Sequence, residues 1–303
     1  MASFFLDELL RCGTTTAMVY CTVHPSSVNA FFTESEKRQL RMVAGKIMMD
    51  RNCPDFLSDT AEGGARDSEE LIRKWHKRGR QLYAITPRFA PTSTEAQLQL
   101  AGELAQTYSD TFLQTHVAEN TDEVAWVKSL FPSARSYLDV YDHYGMMRPR
   151  AMYAHCIWLD DHDRARMRET QSAASICPTS NLFLGSGLFD FARADAAQVP
   201  LSLATDVGGG TSFSMLQTMN EVYKVARMAA LICRPCGCSI WRRWAMRAAC
   251  SSKAQSAISR LASKRISWCS IRMRLLCSRA APRAPKAWKN CCSRWPCLAM
   301  TAR

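Results

Sequence analysis

The sequence predicts an α/β fold: an incomplete TIM-type (β/α)8 barrel of about seven strands, followed by an irregular C-terminal tail. Three observations predict it. Short apolar or β-branched runs alternate with helical patterns, and each run is followed by a helix or a long loop, which implies parallel strands joined by crossover helices. Polar residues suited to chemistry fall at the C-terminal ends of several different runs, as they do at the mouth of a barrel. Composition also breaks near residue 230. Of 303 residues, 39 are Lys or Arg and 27 are Asp or Glu, a formal net charge of +12. Residues 1–230 hold 23 of the basic and all 27 acidic side chains, whereas residues 231–303 hold 16 basic and none acidic. The basic average that suggests nucleic acid therefore belongs to the tail, and the first part is mildly acidic.

The elements follow in order. An opening helix, MASFFLDELLRC, is closed by Gly13, the residue expected just past a helix end. Strand-like runs follow at Thr14–Thr22 and Arg41–Met49. A helical pattern over Leu71–Arg80 leads to a strand at Leu82–Thr86. Glu95–Tyr108 reads as a helix, with Thr94 and Gln97 spaced as a capping box. Strand Thr111–His116 precedes helix Glu123–Leu130, and strand Ala151–Cys156 precedes helix Asp160–Glu169. Strands Ala173–Cys177 and Pro200–Thr205 and a helix over Phe213–Met228 complete the pattern. Seven strands are one short of a closed barrel, and a doubly wound open sheet is the alternative. The predicted division is 1–230, a barrel lacking its first strand, and 231–303, a basic Cys/Trp/Arg-rich tail.

The strand-end residues are Arg88, His116 with Glu119, His155, Asn181 and Asp206. Two histidines and an aspartate on apolar strands suit a hydrolytic metal site, where imidazole and carboxylate ligands hold the ion and lower the pKa of a water. Glu119 is placed to move a proton. Each residue also has an ordinary alternative: a hydrogen-bonded structural histidine, a turn aspartate before three glycines, a surface arginine, or an acid near a helix N-terminus. Their joint position at one end of successive strands favours the site. His24, His76, His143 and His162 lie in loop or helix contexts and receive no role.

The segments GTTTAMVYCTVHP, YAITPRFAPTST, LQTHVAENTDEVAWV, MYAHCIWL, CPTSNLFLGSGLFDF and LATDVGGGTSFSML resemble the guanine deaminases of the metal-dependent amidohydrolase superfamily, from about residue 3 to about residue 229. The resemblance implies an amidohydrolase-like barrel in which metal-activated water converts guanine to xanthine and ammonia. It implies that His116 and Asp206 ligate Zn2+, or Fe2+, and that Asp206 also takes a proton from the water. Glu119 would shuttle a proton to the purine and the departing amine, His155 would hydrogen-bond the attacking hydroxide or the developing oxyanion, and Arg88 would bind the polar edge of guanine. Other substrates for the same fold are another aminopurine, a pterin or a triazine, and a non-catalytic barrel relic is the reading from a different class. The zinc deaminase signature with H-x-E and P-C-x-x-C is absent, since Pro235-Cys236-Gly237-Cys238 has a different spacing.

Two features depart from the resemblance. Relatives carry two further ligands in an H-x-H on a first strand, and no H-x-H occurs here. The chain as written is therefore expected to hold little metal and to turn over negligibly. The tail matches nothing in the family. Its lack of acids reads as out-of-frame translation or disorder, ahead of a nucleic-acid-binding arm or a zinc module built on Cys233, Cys236 and Cys238. No apolar run reaches the roughly 18–20 residues of a membrane helix, and Asp7 and Glu8 interrupt the first one. Cys12, Cys21, Cys53, Cys156 and Cys177 are scattered singly, which fits free thiols in the cytoplasm. The partners expected are a small purine and, from the resemblance, a second copy in a homodimer.

Overall fold

The computed structural model describes residues 1–228, so the predicted tail, with Cys233, Cys236 and Cys238, lies outside the described residues. Among the described residues eight strands run β1 (Thr16–Tyr20), β2 (Arg41–Gly45), β3 (Ile47–Met48), β4 (Leu82–Pro87), β5 (Phe112–Val117), β6 (Ala151–His155), β7 (Ala173–Ile176) and β8 (Leu201–Leu203). Every pairing is parallel. The sheet order is β1-β2-β4-β5-β6-β7-β8, with the two-residue β3 set beside β4. This order follows the chain without reversal, so the sheet has no switch point of the doubly wound kind.

Curvature decides between the two architectures. Gln114 on β5 donates from Nε2 to Val19 O on β1 at 3.1 Å and to Thr86 Oγ1 on β4 at 3.1 Å. Strands β1 and β5 are three places apart in the sheet, which would separate them by roughly 14 Å if it were flat. The sheet is therefore rolled about its strands, and the seven-strand array is an incomplete barrel.

Ten helices accompany the strands among the described residues: α1 (Ala2–Arg11), α2 (Pro25–Lys37), α3 (Ala61–Trp75), α4 (Glu95–Thr107), α5 (Thr121–Leu130), α6 (Tyr137–His143), α7 (Asp161–Thr170), α8 (Pro178–Leu184), α9 (Phe191–Ala196) and α10 (Met215–Met228). Helix α1 ends as predicted. Gly13 adopts φ +80°, its N–H donates to Leu10 O at 2.9 Å, and Thr14 N–H donates to Leu9 O at 2.8 Å, the paired bonds of a Schellman cap.

Other expectations need correction. The predicted helix Leu71–Arg80 begins at Ala61, where the Thr60 side chain accepts from Gly63 N at 3.0 Å, and stops at Trp75 because the chain must turn into β4. The capping box at Thr94 is half made. Thr94 Oγ1 accepts from Gln97 N at 3.2 Å, but the Gln97 side chain is buried without a hydrogen-bond partner. The run Arg41–Met49 is two strands. At the break the Lys46 N–H donates to Tyr83 Oη at 3.2 Å instead of to a neighbouring strand, and its buried ammonium pairs with Asp59. Helices α6, α8 and α9 have only six or seven residues, too few to show a 3.6-residue period.

Candidate active site

The strand ends place the predicted residues around one cavity of about 250 Å3, lined by Arg88, His116, Glu119, His155 and Asp206 together with Phe89, Leu184 and Gly209. Arg88 follows the last residue of β4. Its guanidinium stands over the Phe89 ring at 5.2 Å, with Nη1 3.7 Å from Met49 Sδ. Its carbonyl accepts from the His116 backbone N–H at 3.1 Å and lies 2.8 Å from His116 Nδ1. A carbonyl only accepts, so Nδ1 carries the proton and Nε2 keeps its lone pair. Burial, with His155 and Arg88 nearby, pushes the His116 imidazole down to about 3. The ring is therefore neutral at neutral pH, the form that ligates metals.

His116 packs on Tyr20 from β1 at 4.8 Å between ring centroids, and stacks on His155 at 5.4 Å. Tyr141 on α6 fixes its backbone, donating to His116 O at 2.8 Å while accepting from Ala90 N at 2.9 Å. The turns after β5, β6 and β8 then use left-handed backbone at residues other than glycine: Ala118 (φ +50°), His155 (φ +70°) with Cys156 (φ +54°), and Asp206 (φ +47°). Such conformations cost on the order of 1 kcal/mol or more each and cluster at functional sites. At Ala118 the reversal brings Glu119 to the same cavity as His116. Glu119 Oε1 accepts from Ser186 Oγ at 2.9 Å, and Oε2 lies 3.5 Å from His155 Nε2.

His155 ends β6 fully buried, with Nδ1 2.8 Å from Asn181 Oδ1. Asp206 lies three residues beyond β8. Two of the three glycines after it have a packing reason: a Cβ would stand 2.0 Å from Thr205 O at Gly210, and 2.9 Å from Ser180 Oγ and 3.2 Å from Asp206 Oδ2 at Gly209. Only glycine lets this turn close onto the carboxylate. Cys177, between β7 and α8, is a site neighbour that sequence reasoning counted only as a scattered thiol. Ligand atoms of His155, Cys177 and Asp206 all lie within 4.8 Å of one another, and burial pushes the thiol well up. Ser186 and Tyr141 were also missed. Their side chains act across the fold, and no local pattern marks them.

A neutral imidazole whose second nitrogen is held by a carbonyl, with a carboxylate lining the same cavity, fits the donor chemistry of a hydrolytic divalent metal. Residues 2–250 match the amidohydrolase family. The chain belongs to the amidohydrolase family. Amidohydrolases are in general metal-dependent. Guanine deaminase of Escherichia coli (strain K12) is 53% identical over 228 residues, covering 75% of this chain and 52% of that protein. The solved E. coli guanine deaminase superposes with TM-score 0.75, covering 76% of this chain and 54% of that one. Guanine deaminase from C. acetobutylicum, solved with guanine bound in its active site, is 28% identical with TM-score 0.71, covering 75% of this chain and 54% of that one. This amidohydrolase chain spans about half the length of the curated relatives it matches.

Proposed function

We propose that the site hydrolyses guanine to xanthine and ammonia. The observation that carries the reading is the convergence of Arg88, His116, Glu119, His155 and Asp206, from the ends of four separate strands, on one small cavity; similarity to guanine deaminases supports the substrate. His116 and Asp206 would hold the metal, Zn2+ or Fe2+, which when bound lowers the pKa of a water and polarises the carbon under attack. Asp206 takes a proton from the attacking water at a carboxylate oxygen. His155 hydrogen-bonds the attacking oxygen through Nε2. The proton taken from the water passes to Glu119, which delivers it through Oε2 to the ring nitrogen beside the reacting carbon; the second proton of the water follows through Glu119 to the departing amine. The C–N bond to that amine breaks as the new C–O bond becomes the carbonyl of xanthine. Arg88, at the rim, donates to the polar edge of the base.

The test uses the full 303-residue chain with guanine, other aminopurines, a pterin and a triazine, following binding, ammonia release and added Zn2+. Guanine is expected to bind, and Arg88→Ala to weaken that binding by about 10-fold. With His116 and Asp206 as the two donors assigned to the metal, turnover should be feeble and should rise with excess Zn2+. Glu119→Gln should abolish turnover while guanine still binds. Preference for a triazine or pterin would replace the substrate, and guanine binding with no turnover at any Zn2+ concentration would favour a non-catalytic relic.

We also propose a homodimer, on family resemblance, to be checked by light scattering. No helix among the described residues is long and apolar enough to cross a membrane. The described cysteines are free thiols, which supports a cytoplasmic location.

A further inference from the structure

Two groups proposed to handle protons, His155 and Glu119, are both held by one short stretch of chain. Asn181 lies within α8, and Ser186 lies just beyond its end. The stretch is well anchored. Asn181 N donates to Cys177 O at 2.9 Å, Ser186 N to Asn181 O at 2.9 Å, and Trp158 Nε1 to Ser186 O at 3.0 Å. Asn181, Ser186 and His155 are all buried, so water does not compete for these contacts.

The Asn181 oxygen faces His155 Nδ1 at 2.8 Å. An amide oxygen only accepts, so Nδ1 must be the protonated nitrogen. A neutral imidazole has one N–H, which leaves the Nε2 lone pair pointing toward Glu119 Oε2, 3.5 Å away. Ser186 Oγ donates to the other Glu119 oxygen, Oε1, at 2.9 Å. That bond sets the carboxylate's rotation and leaves Oε2 as the oxygen free to carry a proton.

We propose that Asn181 is a positioning residue that fixes His155 as the Nδ1–H tautomer, with Ser186 orienting Glu119 so that Oε2 meets the substrate. The consequence is specific. In this tautomer His155 accepts an O–H from the attacking oxygen, whereas the opposite tautomer would donate to a developing oxyanion. The catalytic part of this inference rests on the guanine-deaminase reading; the tautomer does not.

The experiment is a long-range 1H–15N correlation spectrum of the full 303-residue chain labelled at histidine, at mildly alkaline pH where imidazoles are neutral. His155→Gln assigns the His155 signals. The expected result is a protonated Nδ1 and an unprotonated Nε2. Asn181→Leu removes the acceptor and should move His155 toward the Nε2–H form, while Asn181→Asp keeps an acceptor and should retain Nδ1–H. An Nε2–H form in the parent chain, or an unchanged tautomer in Asn181→Leu, overturns the proposal. If Asn181→Leu does not fold, the parent and Asn181→Asp spectra decide. Where turnover is measurable, Asn181→Leu should lower kcat by about 10–100-fold with little change in KM, and a change confined to KM would overturn the positioning role. A correct tautomer in a chain that neither binds nor converts guanine would sink the functional reading alone.

Discussion

Glu123 shows how burial perturbs a residue beside the site. It sits at the first turn of α5, its N–H held by Asn120 Oδ1 at 2.9 Å, and its Oε1 is buried without a hydrogen-bond partner. Burial, with the nearby Glu119 charge, pushes its carboxyl up from 4.5 to about 7. The sign follows directly. Between those two values the folded chain keeps a proton that the unfolded chain has released. Stability therefore falls as pH rises through this window, by up to about 3 kcal/mol once both states are ionised. Glu123→Gln should remove this slope, which chemical denaturation at a series of pH values would show; parallel profiles for the two proteins would refute it. The residues of the proposed chemistry were legible for a different reason. Arg88, His116, Glu119, His155 and Asp206 each follow an apolar strand, and that local pattern survives in one dimension. Asn181 was visible as a polar strand-end residue, but its oxygen on His155 Nδ1 depends on α8 bringing it against the end of β6.

At the scale of elements, close approach and capping position the site. A Cβ on Gly45 would stand 1.7 Å from Ala84 O on the neighbouring strand, so Gly45→Ala must push β2 from β4. It should destabilise by about 3 kcal/mol or more, or prevent folding, as read from the urea midpoint. Asn120 caps α5 next to Glu119. Asn120→Ala should cost about 1 kcal/mol and also lower any guanine turnover, because the cap sets where Glu119 leaves the strand. A stability loss with turnover unchanged would show that Glu119 is positioned by Ser186 alone. Strong local signals marked α1 and its glycine cap. The break at Lys46 was hidden, because the apolar run continues through it and only the buried pair with Asp59 and the Tyr83 hydroxyl reveal the division.

For the whole molecule, the rolled sheet makes strands unequal. Among the described residues β5 and β6 are paired on both sides, while β1 and β8 each have one partner strand. Amide hydrogen exchange should therefore be slowest in β5 and β6 and fastest in β1 and β8. Equal protection across the seven strands would mean that further chain covers the edges. The same roll brings Tyr20 of β1 against His116 of β5, so the cavity wall depends on curvature and not on any single strand.

By itself the sequence determined the alternation of strands and helices, the parallel sheet, the residues at the strand ends and the resemblance to a deaminase family. These are local or periodic properties, written in turns, caps and apolar spacing. Only the tertiary structure decided that the sheet rolls, through Gln114 reaching Val19. It also decided that Cys177, Asn181 and Ser186 stand behind the proposed chemistry, and that burial pushes the Glu123 carboxyl up. These depend on distances between residues far apart in the chain and on exclusion from water, and neither is encoded in any one segment.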